Sequence, residues 1–245
     1  MEVNKKVLFI KDWILNYVNS MPKKAESLVI GVSGGIDSSV TSTLCAMTEL
    51  KTIVLCMPIK QKSTQHDLSL KHQDWLKKNF KNVEGYTVSL DELFNSFKSS
   101  LSDFDNDHGM ANSRARLRMT TLYQVASANK GIVVGTGNKI EDFGVGFYTK
   151  YGDGGVDISP IADCNKSEVW ELGKELNILK EIIEADPTDG LWDDGRTDEG
   201  QLGLSYKELE EAMNNESSIN REKYLRIRKE NLHKMEAIPV CKIPK

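Results

Sequence analysis

Ser33-Gly34-Gly35-Ile36-Asp37-Ser38-Ser39 is the segment of this 245-residue chain with the clearest chemical capacity. Gly34 and Gly35 can take backbone angles that other residues resist, and without a Cβ they let the main chain approach a ligand. Ser33, Ser38 and Ser39 add hydroxyl donors. A helix starting just after the glycines contributes unpaired N–H groups and the positive end of its dipole, which completes an anion site. Charge-assisted hydrogen bonds of roughly 1.5–3 kcal/mol each would then hold a pyrophosphate. Asp37 repels a bare phosphate but suits a Mg²⁺ that bridges phosphates. The competing reading is a strand-to-helix turn in which Ser and Asp only cap the helix. The three serines and the apolar strand before them weigh against it. No Gly-x4-Gly-Lys-Ser/Thr loop occurs, and Ile140 stands where the third glycine of a dinucleotide fingerprint starting at Gly135 would fall.

Further segments carry candidate groups. Gly135-Thr136-Gly137-Asn138-Lys139-Ile140-Glu141-Asp142 follows a short apolar run. Glu141 could supply a second Mg²⁺ carboxylate and Thr136 a hydrogen bond to a nucleotide; equally, this is an ordinary capped loop with Glu141 balancing a helix dipole. Arg116 and Arg118 are two apart, so on a helix they point in different directions, and a surface role for either is as good a reading as a binding one. Phe147 to Ile158 combines dense glycine with aromatic and charged residues, as in a loop folded closely around a ligand. Lys166 is either a phosphate cation or an exposed lysine. Residues 221–235 are basic, usually the mark of a solvated helix face, and His233 sits in no metal-ligand pattern.

These groups need elements to position them. Apolar spacing predicts helices over 3–20, 37–49, 64–80, 91–101 and 110–129, with short helices near 167–184 and two more over 205–214 and 217–235. Buried strands are expected over 28–32, 52–59, 83–90 and 131–135. The 185–203 stretch, rich in Asp and Gly, is expected to be a loop. Alternating strands and helices imply an α/β fold, a Rossmann-like parallel sheet with helices on both faces, followed by C-terminal helices. Ligands in such sheets bind beyond the carboxyl ends of the strands, after Val32, Leu55 and Val134.

Composition narrows the class. Hydrophobic residues make up 39% and charged residues 28%, enough for a core and too apolar for a disordered chain. A net charge of −4 argues against a general nucleic-acid binder. No apolar run approaches the roughly 18 residues that span a bilayer, and no signal-peptide block opens the chain, so a cytoplasmic protein is expected. The four cysteines form no Cys-x-x-Cys pair, which gives no support to a zinc knuckle or redox dithiol.

The glycine loop resembles the pyrophosphate loop of ATP pyrophosphatases, which share an adenine-nucleotide α-hydrolase-like fold. SGGIDSS, NSRARLRM, GTGNKIE, GFYTKYGDGGVDISPIADCNK, ADPTDGLW, EGQLGLSYKELEE and the terminal HK together resemble the ammonia-dependent NAD synthetases. The resemblance runs from about residue 29 to 234. It implies a ligase joining deamido-NAD and ammonia, with ATP going to AMP and diphosphate through an adenylated intermediate. On the matching positions, Gly31, Val32, Ser33, Gly34, Gly35, Ile36, Asp37, Ser38, Thr136, Lys166 and Thr188 would bind ATP. Asp37 and Glu141 would hold Mg²⁺, and Asp37 and Lys166 would be the catalytic pair. Arg116, Lys150, Asp157, His233 and Lys234 would contact deamido-NAD, with Asp157 a candidate for deprotonating ammonium. Gly137-Asn138-Lys139 departs from the Asp-His-Ala of many members. The resemblance further implies a homodimer with the substrate site at the interface, one synthetase domain over 1–245 and no glutaminase domain. Another ATP pyrophosphatase, such as a tRNA-modifying enzyme, is the alternative; such enzymes usually add Cys-x-x-Cys pairs or a basic RNA-binding region.

Overall fold

A computed structural model describes residues 1–60, 63–188, 190–192 and 196–244. Four strands, β1 (Ser27–Gly31), β2 (Lys51–Cys56), β3 (Val83–Thr87) and β4 (Gly131–Val133), form one parallel sheet in the order β3-β2-β1-β4. β1, β2 and β4 are rich in buried apolar residues because both faces of the sheet are covered there, whereas the edge strand β3 exposes Tyr86 and Thr87. Leu28, Ile30, Val54 and Ile132 face one helical layer, while Val29, Ile53, Leu55 and Val133 face the other. Helices α1 (Val3–Ser20), α2 (Ile36–Met47), α3 (Ser63–Asn79), α6 (Lys166–Glu175) and α7 (Lys180–Ile183) contribute to the first layer. Helices α4 (Asp91–Ser100) and α5 (Asp107–Ala128) contribute to the second. Leu117, Leu122 and Val125 of α5 pack against this second layer within the chain.

The predicted strand over 52–59 stops at Cys56, two residues before Pro58, which cannot donate to a ladder. The expected strand over 83–90 ends at Thr87. Within the expected 185–203 loop, α8 (Asp198–Leu202) forms, with the Thr197 hydroxyl accepting from the Gly200 amide. Asp189 and the stretch 193–195 of that loop, like 61–62, lie outside the described residues. The predicted 217–235 helix starts later, as α10 (Arg221–Met235), after a turn. It packs with α9 (Tyr206–Asn214) around a third apolar cluster that includes Ile140, Val145, Tyr206, Leu209 and Tyr224.

Two features decide where a site can form. The chain moves from β1 to β2 on one side and reaches β4 on the other, so the crevice at the carboxyl ends of β1 and β4 is the switch point of the sheet. Helix α2, which leaves that crevice, is buried along nearly its whole length despite its hydroxyls. Those hydroxyls bond back to the helix's own carbonyls: Thr41 Oγ1 to Asp37 O (2.9 Å), Ser42 Oγ to Ser39 O (3.2 Å) and Thr43 Oγ1 to Ser39 O (2.7 Å).

His72 of α3 is fully buried, within 3.0 Å of Ser42 Oγ and stacked on Trp75. Burial pulls it down from 6.5 to about 4, against a smaller opposing hydrogen bond to the Ser39 backbone. The fold therefore prefers the neutral ring, and its contribution is lost as pH falls from 6.5 toward 4. In His72→Gln the melting temperature is expected to fall less steeply between pH 6.5 and about 5 than in the parent, as read by thermal unfolding at several pH values.

Candidate active site

The glycine loop turns between β1 and α2 and lines a cavity of about 280 Å³. Gly34 adopts φ +89°, in the left-handed region that favours glycine. Serine hydroxyls fix the turn. Gly35 N donates to Ser33 Oγ (3.2 Å), and Ser38 Oγ and Ser39 Oγ donate to Gly35 O at 3.1 and 2.9 Å. Two of the three serines thus bond back to the loop in this structure, while Ser33 and Ser38 also line the cavity. Ser39 is fully buried, and its hydroxyl and that of Ser38 shape the loop. The anion-binding capacity rests on the amides at the start of α2.

Asp37, in the first turn of α2, accepts from two donors that arrive from distant sequence. Lys166 Nζ, at the first position of α6, donates to Asp37 Oδ2 (2.5 Å) and to Glu141 Oε1 (3.0 Å). Asn138 Nδ2 donates to Asp37 Oδ1 (3.0 Å). A capping box of Asn165 and Glu168 fixes the start of α6, and with it the root of Lys166. Glu141 lies in a π-helical turn over Ile140–Val145 that closes on Gly146 at φ +68°. Asn138 Oδ1 accepts from both Ile140 N (3.0 Å) and Glu141 N (3.1 Å), so one buried amide caps this turn and holds Asp37. π-Turns of this kind recur at functional sites because the extra residue re-aims side chains.

Electrostatics follow from the burial. For Lys166, 2% exposed, burial alone favours the neutral amine, but the charges and hydrogen bonds of Asp37 and Glu141 outweigh it and hold the ammonium above the ordinary lysine range. For Asp37, burial and the charge of Glu141 outweigh Lys166 and Asn138, so its carboxyl sits above the usual range. Two carboxylates thus converge on one cation beside a phosphate-type loop. No group of three potential ligands occurs among the described residues. The arrangement fits Mg²⁺, which is commonly held by one or two carboxylates plus substrate phosphates.

Of the residues expected to bind ATP or metal, Gly31 to Ser38, Thr136, Glu141, Lys166 and Thr188 all line this one cavity. The residues expected to contact deamido-NAD do not line it. Four of them gather beside it. Arg116 Nη2 donates to Lys150 O (3.4 Å), Lys150 Nζ to His233 O (3.1 Å) and Lys234 Nζ to Tyr148 O (2.9 Å). The Tyr148 hydroxyl returns a bond to Lys234 O (2.6 Å). Asp157 stands apart, accepting from Val133 N (2.7 Å) and from the Tyr123 hydroxyl (3.1 Å), so its carboxylate ties the 156–158 segment to the end of β4 and to α5. Part of the glycine density at 152–155 is packing: a Cβ on Gly152 would lie 2.8 Å from Ala115 Cβ on α5.

The sequence reading passed over Asn138, Asp142, Asp198 and Tyr206. Asn138 could have been found as an Asx cap ahead of Ile-Glu. Tyr206, which opens α9, carries no local signal of the hydrogen bonds that its hydroxyl makes to Glu141 and Asp198.

The family model described as NAD synthase matches residues 6–242. The NH(3)-dependent NAD(+) synthetase of Alkaliphilus oremlandii is 34% identical, across 98% of both chains. The structure of NMN synthetase from Francisella tularensis superposes with a TM-score of 0.91 at 32% identity, covering 99% of this chain and all of that one. The NH3-dependent NAD synthetase of Campylobacter jejuni superposes at 0.78 with 25% identity, again over 99% and 100%.

Asp142, on the cavity wall, is pushed up from 3.8 to about 8 by burial first, then by the charges of Glu141, Asp153 and Asp37. The fold favours its protonated form, so its contribution is complete below pH 3.8 and is lost as pH rises through about 8. Asp142→Asn is expected to raise the melting temperature more at pH 8 than at about pH 5, as read by calorimetry across that window.

Proposed function

The chain belongs to the NAD synthase family, and we propose that it is a C–N bond-forming ligase that makes NAD from deamido-NAD, ammonia and ATP. The observation that carries this reading is the convergence of Asp37 and Glu141 on one cation, Lys166, beside the glycine loop. A nicotinate carboxylate acylates poorly. Attack by its oxygen on the α-phosphorus of ATP expels diphosphate and gives an acyl-adenylate; ammonia then attacks the carbonyl and AMP leaves. No protein nucleophile is required, so the chain's contribution is positioning and electrostatics. The amides after Gly34 hold the phosphates, and Lys166 meets the charge that develops on them. Asp37 and Glu141 would hold Mg²⁺, which supplies Lewis-acid polarisation of the phosphoryl oxygens when bound. The comparisons lend nothing to the tRNA-modifying alternative.

Arg116, Lys150, His233 and Lys234 lie beside the cavity, which suits a dinucleotide running outward from it toward a second copy of the chain. A homodimer is the corresponding assembly, and sedimentation is expected to give twice the chain mass.

The extent of the acceptor nucleotide has a second reading. The Francisella NMN synthetase structure matches over nearly the full length, which favours nicotinate mononucleotide as an alternative acceptor for the same chemistry. With ATP, Mg²⁺ and ammonium, the two acceptors are to be compared by kcat/KM. Preference for deamido-NAD, with NAD and AMP formed in equal amounts, supports the main reading. Preference for the mononucleotide replaces it with the second, and ADP in place of AMP refutes both. Asp37→Asn is expected to lower turnover roughly 100-fold or more, the several kcal/mol that a bound metal supplies; near-parental activity would count against the metal role.

A further inference from the structure

Tyr206 is 1% exposed and sits beneath the cation site. Its hydroxyl lies 2.5 Å from Glu141 Oε1 and 2.9 Å from Asp198 Oδ2. The face of its ring lies 4.6 Å from Lys166 Nζ. The ring is fixed in turn by an edge contact with Trp170, with centroids 6.2 Å apart at 89°. Its backbone is equally constrained: a capping box of Ser205 and Glu208 sets the start of α9, and Tyr206 N donates to Glu199 Oε1 (3.1 Å).

Each contact has a physical consequence. A glutamate that enters metal coordination must give up side-chain torsional freedom. A phenol donating to one of its oxygens removes that freedom beforehand, as partners behind a metal ligand do. The electron-rich ring face favours an ammonium over a neutral amine at Lys166. The hydroxyl carries one proton and faces two carboxylates, so Glu141 and Asp198 compete for it. That competition links α8, through Asp198, to the cation site.

We propose that Tyr206 is the positioning residue of the cation site, fixing Glu141 through its hydroxyl and Lys166 through its ring. The proposal rests on the reading that Asp37 and Glu141 hold the metal together with ATP, and the experiment separates the two. Mn²⁺ is titrated into the full-length protein with a non-hydrolysable ATP analogue and followed by electron paramagnetic resonance, in parallel with the Mg²⁺ dependence of turnover. Tyr206→Phe keeps the ring and loses only the hydroxyl. Its Mn²⁺ and Mg²⁺ midpoints are expected to rise about tenfold, while kcat at saturating Mg²⁺ stays within about threefold of the parent. Trp170→Phe keeps the hydroxyl and relaxes the ring, and the midpoint is expected to rise about threefold. Unchanged midpoints in both variants overturn the proposal, as does a fall in kcat that saturating metal does not restore. Glu141→Gln is the control. If it abolishes Mn²⁺ binding while the other variants bind normally, only the role of Tyr206 fails. If it binds Mn²⁺ like the parent, the metal reading itself fails, and the proposal with it.

Discussion

The ammonium of Lys166, held between Asp37 and Glu141, is the contact on which the rest of the site depends. Three charged groups share a space from which water is largely excluded. Removing the cation would leave two carboxylates facing each other at low dielectric, a larger cost than the attraction that the pair provides when intact. The arrangement therefore demands accuracy from every element that feeds it. Asp37 comes from the first turn of α2, Lys166 from the first residue of α6, and Glu141 from a π-turn. All three lie at or near the starts of helical segments.

The topology of the sheet makes this convergence possible. Because β1 pairs with β2 on one edge and β4 on the other, the glycine loop and the 134–142 segment leave the sheet side by side. Two close packings then refine the second segment. A Cβ on Gly135 would lie 2.7 Å from Val156, and one on Gly137 would lie 2.2 Å from the Asp142 carboxylate. Glycine at these positions lets the main chain pass beneath the π-turn without displacing the groups around it.

What was legible in the sequence divides along the range of the interactions. The glycine loop, its flanking strand and helix, and the layered sheet are local in origin, set by apolar runs and turn residues, and they could be read directly. Lys166 and Glu141 stood as candidates with ordinary surface or capping roles as the alternative, while the contacts of Lys166 with Asp37 and with Glu141 span 129 and 25 residues of sequence and only the fold brings them about. The cap that Asn138 makes on the 140–145 turn is local, whereas its bond to Asp37 and the contacts of the Tyr206 hydroxyl exist only where distant segments meet. The hydroxyls of Ser38 and Ser39 both donate to Gly35 O, a loop contact that no local sequence signal gives.

The reciprocal bonds between Tyr148 and Lys234, with Lys150 reaching the His233 carbonyl, join the glycine-dense segment to the end of α10. This has a consequence for biosynthesis. All four strands and the glycine loop are encoded in the first 135 residues and are synthesised before the corner's last residues. The basic corner beside the cavity must wait for a helix made about 80 residues after Lys150. The corner is therefore the last part of the cleft that synthesis can complete.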